Sequence, residues 1–145
     1  MSSDAAGNGA SPSADDRIIL NLPLLPHEVP DLRTAVGWDR ADADYPDLLG
    51  RVRCWAGARD ADGLLVAFGY VAAPGLAHGY LEDVIVHPAH QRRGLGRALV
   101  RCLLAEAARA GIGVVTVTYR PEHRAFYERC GFRWCDGGIW SPAPP

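Results

Sequence analysis

The sequence predicts a mixed α/β fold, a sheet with helices packed against it. Three observations lead there. β-Prone runs at 51–58, 64–73 and 80–86 follow one another through short turns, an amphipathic helical pattern covers 94–110, and a β-branched run at 114–118 comes after that helix. Strands first, then helix, strand, helix and strand, is the order of a sheet that carries helices on its faces.

The first sixteen residues are rich in Ser, Ala, Gly and Asp, with no basic start and no apolar run, so they predict a disordered tail rather than a signal peptide. The domain is expected over 17–141, with 142–145 as a second tail. A short β run at 17–22 ends at Pro23. The stretch 29–50 is broken by Pro30, Gly37 and Pro46, which predicts two short helices and a loop. The runs 51–58 and 64–73 are joined by 59–63, whose Asp62-Gly63 end suits a hairpin. A third strand, 80–86, runs into His87 and Pro88. Leu95, Ala98, Leu99, Cys102, Leu103, Ala107 and Ala110 then recur at helical spacing, and Gly111 and Gly113 stop the helix. The β-branched run 114–118 reads as a buried central strand, followed by a short helix at 122–129 and a last strand or hairpin over 132–140.

Composition narrows the function classes. A chain of 145 residues, 48% apolar and 22% charged, fits one domain able to bury its own core. Its net charge is −2 and all 15 of its cationic side chains are arginines, so a generally basic surface for nucleic acid is not expected and any basic function is local. The longest apolar stretch, 64–77, is interrupted by Gly69, Pro74 and Gly75 and is too short to span a bilayer. Cys54, Cys102, Cys130 and Cys135 lack Cys-x-x-Cys spacing, which predicts free thiols in a reducing, cytoplasmic setting; a pairing of Cys130 with Cys135 stays open.

The segment 91–97 carries the chemistry. It lies between a strong strand and a strong helix, and Gly94 and Gly96 remove side chains that would keep an anion from the backbone. The first turn of the helix offers amides without intrahelical partners, and Arg92, Arg93 and Arg97 add full charges. The glycine spacing matches neither the dinucleotide fingerprint nor a Walker loop.

The pattern Val84-x-Val86-His87-Pro88-x-x-Gln91-x-x-Gly94-x-Gly96, followed by Ala125-Phe126-Tyr127-Glu128-x-x-Gly131-Phe132, resembles the GNAT superfamily of acyl-CoA-dependent N-acyltransferases. The resemblance covers 80–132 and extends loosely upstream through 32–38. Within the superfamily, 81–86 and 126–132 are similar to glucosamine-6-phosphate and small arylalkylamine acetyltransferases. It implies a central, mostly antiparallel sheet and acetyl-CoA as co-substrate, with no metal. The implied cofactor-binding set is Val84, Ile85, Val86, Gln91, Arg92, Arg93, Gly94, Leu95, Gly96, Arg97, His123 and Phe126. Val84 and Val86 would hold the acetyl carbonyl and pantetheine through amides two residues apart, which share one strand edge, and an amide aimed at the acetyl oxygen would stabilise an oxyanion. His123 stands where the family often has an asparagine.

Tyr127 is the implied proton donor to the departing thiolate. Glu82 and Asp83 are the candidate general bases, expected on opposite faces of the strand so that at most one points at the acceptor. Trp38, Asp39, Arg40 and Tyr45 border the acceptor pocket by the same resemblance, with Trp38 and Tyr45 as substrate contacts. His78, His87 and His90 do not complete a metal set. The expected reaction is direct transfer from acetyl-CoA to a primary amine of a small molecule. A protein-amine acceptor, a non-catalytic acyl-CoA sensor and a homodimer touching through Trp134 or Trp140 stay open.

Overall fold

The computed structural model describes residues 12–45 and 47–143. Pro46, most of the expected N-terminal tail and the last two residues lie outside these. The first element is a short helix, α1 (Ala14–Arg17), which begins three residues before the expected start of order and rests on the later long helix. Strand β1 (Ile19–Leu20) is shorter than the run 17–22 suggests, because Asn21 takes a positive φ of 51° and turns the chain out of the ladder. Its amide donates to the Trp55 carbonyl and its side chain accepts from the Trp55 amide, so the lost strand residue is replaced by an Asn-centred corner.

Helix α2 (Glu28–Ala35) and a 3₁₀ turn at Leu48–Gly50 are the two helical pieces of the breaker-rich segment. Strands β2 (Cys54–Arg59), β3 (Leu65–Ala72) and β4 (His78–Val86) form the hairpin series. Helix α3 (Leu95–Arg109), strand β5 (Val114–Val117) and helix α4 (Arg124–Arg129) follow. The sheet order is β1-β2-β3-β4-β5, antiparallel throughout except for the parallel β4–β5 pair. A parallel pair needs a crossover connection, and α3 supplies it.

Helices cover both faces of the sheet. Leu95, Leu99, Val100, Leu103 and Ala107 of α3 pack against Ala56, Val66, Val71 and Leu81 on one face. Val29 and Leu32 of α2 close over Leu22, Leu65, Phe68 and Ile85 on the other. Covering both faces explains why β3 reads as a continuous apolar run instead of alternating.

Three expectations fail. The run 114–118, expected as a buried central strand, is instead β5 at the edge of the sheet, only partly buried and with Val114 exposed, because among the described residues no strand pairs with its outer side. Residues 132–140 form neither a strand nor a hairpin: Phe132 packs edge-on against Tyr127, but beyond it Trp134, Ile139 and Trp140 stay exposed and Gly137 and Gly138 bring no side chains to pack. The open pairing of Cys130 with Cys135 is not made either, since all four cysteines are free. Among the described residues, no helix is long and apolar enough to cross a membrane.

Candidate active site

The site begins with a fault in the sheet. On β3, Phe68 faces Ile85 and Tyr70 faces Glu82, so Asp83 and Val84 together oppose the single residue Gly69. Asp83 takes φ 49° within this bulge. A two-against-one bulge bends the strand and breaks its in-out alternation, and that overturns the expected opposition of Glu82 and Asp83: both line the same cleft. The bulge also ends the contact with β5, whose last rung is Leu81 opposite Val117. Past that rung the two parallel strands separate.

Between them lies a cleft of about 1040 Å³. The His87 amide donates to the Val66 carbonyl at 2.8 Å, on the β3 side. Alternation then turns the Val84 and Val86 amides to the β5 side, into the cleft. The Val86 carbonyl on that side is taken by Gln91 Nε2 at 2.9 Å, which ties the strand to the turn before α3. Gly94 is the N-cap of α3 with φ 79°, a conformation natural to glycine. The first helical bond runs from the Ala98 amide to the Gly94 carbonyl, so the Leu95, Gly96 and Arg97 amides have no intrahelical partner. A methyl group on Gly96 would sit 3.4 Å from both the Phe126 ring and Val86. Its absence leaves the backbone bare where a ligand chain would pass.

Most of the expected cofactor set meets here: Val84, Val86, Gln91, Arg92, Gly94, Gly96, Arg97, His123 and Phe126 line the cleft with Trp38 and Tyr127. Ile85, Arg93 and Leu95 do not. The side chains of Ile85 and Leu95 are each 2% exposed and belong to the core; Leu95 keeps a free amide in the first turn of α3, whereas the backbone of Ile85 faces β3 opposite Phe68. Tyr45 is not at the surface of the cleft. It is buried, edge-on to Phe68, and its hydroxyl donates to Asp83.

Tyr127 is held by aromatic neighbours: Tyr119 stacks on it at 4.9 Å, and Phe126 and Phe132 meet it edge-on. Burial pushes its phenol up to about 12. Its hydroxyl makes no hydrogen bond among the described residues, and the residue lines the cleft.

The two carboxylates differ in environment. Asp83 Oδ2 accepts from Arg33 Nη1 at 2.6 Å and from the Tyr45 hydroxyl. Glu82 has no ion-pair partner among the described residues; partial desolvation and then the neighbouring Asp83 charge raise its carboxyl above the ordinary range. Arg33 was not among the expected site residues, nor were Thr118 and Tyr119 at the cleft wall. The last two had a signal, since ligands gather at the carboxyl ends of parallel strands where the sheet opens. Arg33 had none, being fifty positions from its partner.

No group of three or more His, Cys, Asp or Glu side chains among the described residues could hold a metal ion.

Comparison with known proteins agrees with this geometry. The sequence profile of the acetyltransferase (GNAT) family matches residues 22–132. A probable glucosamine 6-phosphate N-acetyltransferase 2 from Oryza sativa subsp. japonica is 46% identical over 54 residues, covering 37% of this chain and 32% of that protein. The chain spans less than half the length of curated relatives such as this one, a mycothiol acetyltransferase from Clavibacter sepedonicus among them, of which it covers 42%. Among solved structures, a GNAT-family acetyltransferase from Streptococcus pneumoniae TIGR4 superposes with a TM-score of 0.74 at 24% identity, covering 88% of this chain and 98% of that one. The GNAT-family N-acetyltransferase YhbS from Escherichia coli, solved in complex with CoA, gives a TM-score of 0.64 at 20% identity, covering 81% of this chain and 69% of that one.

Proposed function

Since the chain belongs to the acetyltransferase (GNAT) family, we propose that it transfers the acetyl group of acetyl-CoA directly to a primary amine of a small molecule. The observation that carries the reading is the early end of the β4–β5 ladder at Leu81 and Val117, which turns the Val84 and Val86 amides into a cleft leading to the bare first turn of α3. A strand edge, a glycine gap and a helix N-terminus in one line suit a ligand with a carbonyl, an amide arm and a diphosphate. Bound acetyl-CoA would supply an activated thioester. Val84 and Val86 would orient its carbonyl and arm, Phe126 would floor the arm beside Gly96, and the free amides of α3 with Arg92 and Arg97 would hold its phosphates.

Glu82 is the better base. A lysine-like ammonium of pKa about 10.4 costs roughly 4–5 kcal/mol to deprotonate at neutral pH, and a raised carboxyl facing the cleft eases that step more than an ordinary one. Asp83, with one oxygen engaged by Arg33 and Tyr45, is committed to structure.

Tyr127 serves the sulfur as a hydrogen-bond donor. With its phenol at about 12, full transfer to a thiolate of pKa about 8.5 would run uphill by about 5 kcal/mol. Stabilising the departing thiolate needs only the phenol proton pointed at it. No cysteine lines the cleft, and burial raises the thiols of Cys54, Cys102 and Cys130, which argues against a relay through an acyl-cysteine.

The test is calorimetry with acetyl-CoA followed by thiol release with a panel of amines. Uptake with release supports the reading. Uptake without release for every amine would make the protein a sensor, and no uptake would end the reading.

A further inference from the structure

Arg33 joins three parts of the acceptor end of the cleft. From the last turn of α2, its Nη1 reaches Asp83 Oδ2 at 2.6 Å and its Nε donates to the Asp39 carbonyl at 2.6 Å. Its guanidinium carbon also lies 5.4 Å from the centre of the Trp38 ring, within reach of a cation–π contact. The charged ends are largely shielded, with side-chain exposures of 16% for Arg33 and 18% for Asp83.

What these contacts hold is poised. Asp83 sits at φ 49°, a conformation that L-residues keep only where their surroundings fix it. The same residue sets where the neighbouring Glu82 points, because it is the corner of the bulge. Trp38 is 44% exposed, lines the cleft, and sits on the loop that follows α2, its amide donating to the Arg33 carbonyl at 2.9 Å. Tyr45 grips the same Asp83 oxygen from the buried side. One guanidinium thus fixes the bulge from above and the loop from behind, while the cofactor end, from Val86 to Arg97, contains none of its contacts.

We propose that Arg33 is a positioning residue for the acceptor amine: acting through Asp83 and the Asp39 carbonyl, it sets the distance between Glu82 on the bulge and Trp38 on the loop. The proposal rests on the transfer reading above. A flat fork with fixed donor directions suits this task, because its Nε and Nη1 reach the two acceptors at once, whereas a lysine ammonium lacks that fixed spread.

Steady-state kinetics on the full chain test it, with acetyl-CoA as donor and 2-phenylethylamine, glucosamine and spermidine as acceptors. Arg33→Ala should lower kcat/KM for the amine that wild type uses by roughly tenfold or more, as expected when a reacting group is displaced by about an ångström, and leave the KM of acetyl-CoA within about twofold. Arg33→Lys should recover part of the loss. Tyr45→Phe keeps the buried ring, removes only the contact to Asp83, and should show the same split at smaller size. An unchanged kcat/KM for the amine in Arg33→Ala, or a comparable rise in the KM of acetyl-CoA, overturns the positioning role. If Arg33→Ala does not fold, an unchanged kcat/KM for the amine in Tyr45→Phe overturns it. Absence of thiol release from wild type with all three amines instead overturns the transfer reading, and this proposal with it.

Discussion

Gly96 and Phe126 face each other across the floor of the cleft, so closely that a single methyl group on the glycine would come to 3.4 Å from the ring. Gly96 lies in the first turn of α3 without a positive φ, so alanine there is favoured by helix propensity, by up to about 1 kcal/mol. Gly96→Ala should therefore leave thermal stability equal or slightly higher. It should also weaken acetyl-CoA binding by roughly tenfold, because the methyl occupies the path between Phe126 and Val86. A melting curve and a titration on the same sample separate the two effects; equal affinity would show that the ligand does not pass over Gly96.

Tyr127→Phe removes a hydroxyl that has no hydrogen-bond partner among the described residues while keeping the ring between Tyr119, Phe126 and Phe132. Stability should change by less than about 0.5 kcal/mol. Turnover should fall by about a hundredfold, the usual size of one lost transition-state hydrogen bond, with acetyl-CoA affinity nearly intact. Unchanged turnover would remove Tyr127 from the reaction.

The pH dependence of kcat/KM should rise through the titration of Glu82, because the base must be ionised to work. Desolvation and the Asp83 charge place that rise above the ordinary glutamate range. Glu82→Gln should abolish the acid limb. Asp83→Asn should shift it to lower pH, since it removes a negative neighbour and leaves the Arg33 cation facing the site. A shift to higher pH, or a limb that survives Glu82→Gln, would assign the base elsewhere.

Away from the cleft, Glu28 at the start of α2 pairs with Arg59 of β2, which also donates to the Pro23 carbonyl at 2.9 Å and the Gly63 carbonyl at 3.0 Å. The bond to Arg59 holds the Glu28 carboxyl below its usual range. A lowered folded pKa contributes stability that is present above the unfolded value and is lost as pH falls through the folded one. Glu28→Gln should cost about 1–2 kcal/mol at pH 7, discounted for partial solvent access. The difference from wild type should shrink in urea melts as pH is taken below the ordinary glutamate range, and a difference that does not shrink would assign the effect to packing.

Most of this arrangement was legible in the chain itself. Local rules suffice for the amphipathic stripe of α3, the bare turn at Gly94 and Gly96, the β-branched β5 and the Phe126-Tyr127 pair, because each depends on neighbours within a few residues. Residues close together in the chain therefore carry the layered α/β class, the glycine-rich turn before α3 and the tyrosine. Only the tertiary structure decided which carboxylate is available, since the bulge at Asp83 arises from pairing with β3 and its partners Arg33 and Tyr45 lie fifty and thirty-eight positions away in the chain. It also decided the fate of 132–140, whose strand-like composition goes unused because a strand exists only where another edge takes up its hydrogen bonds.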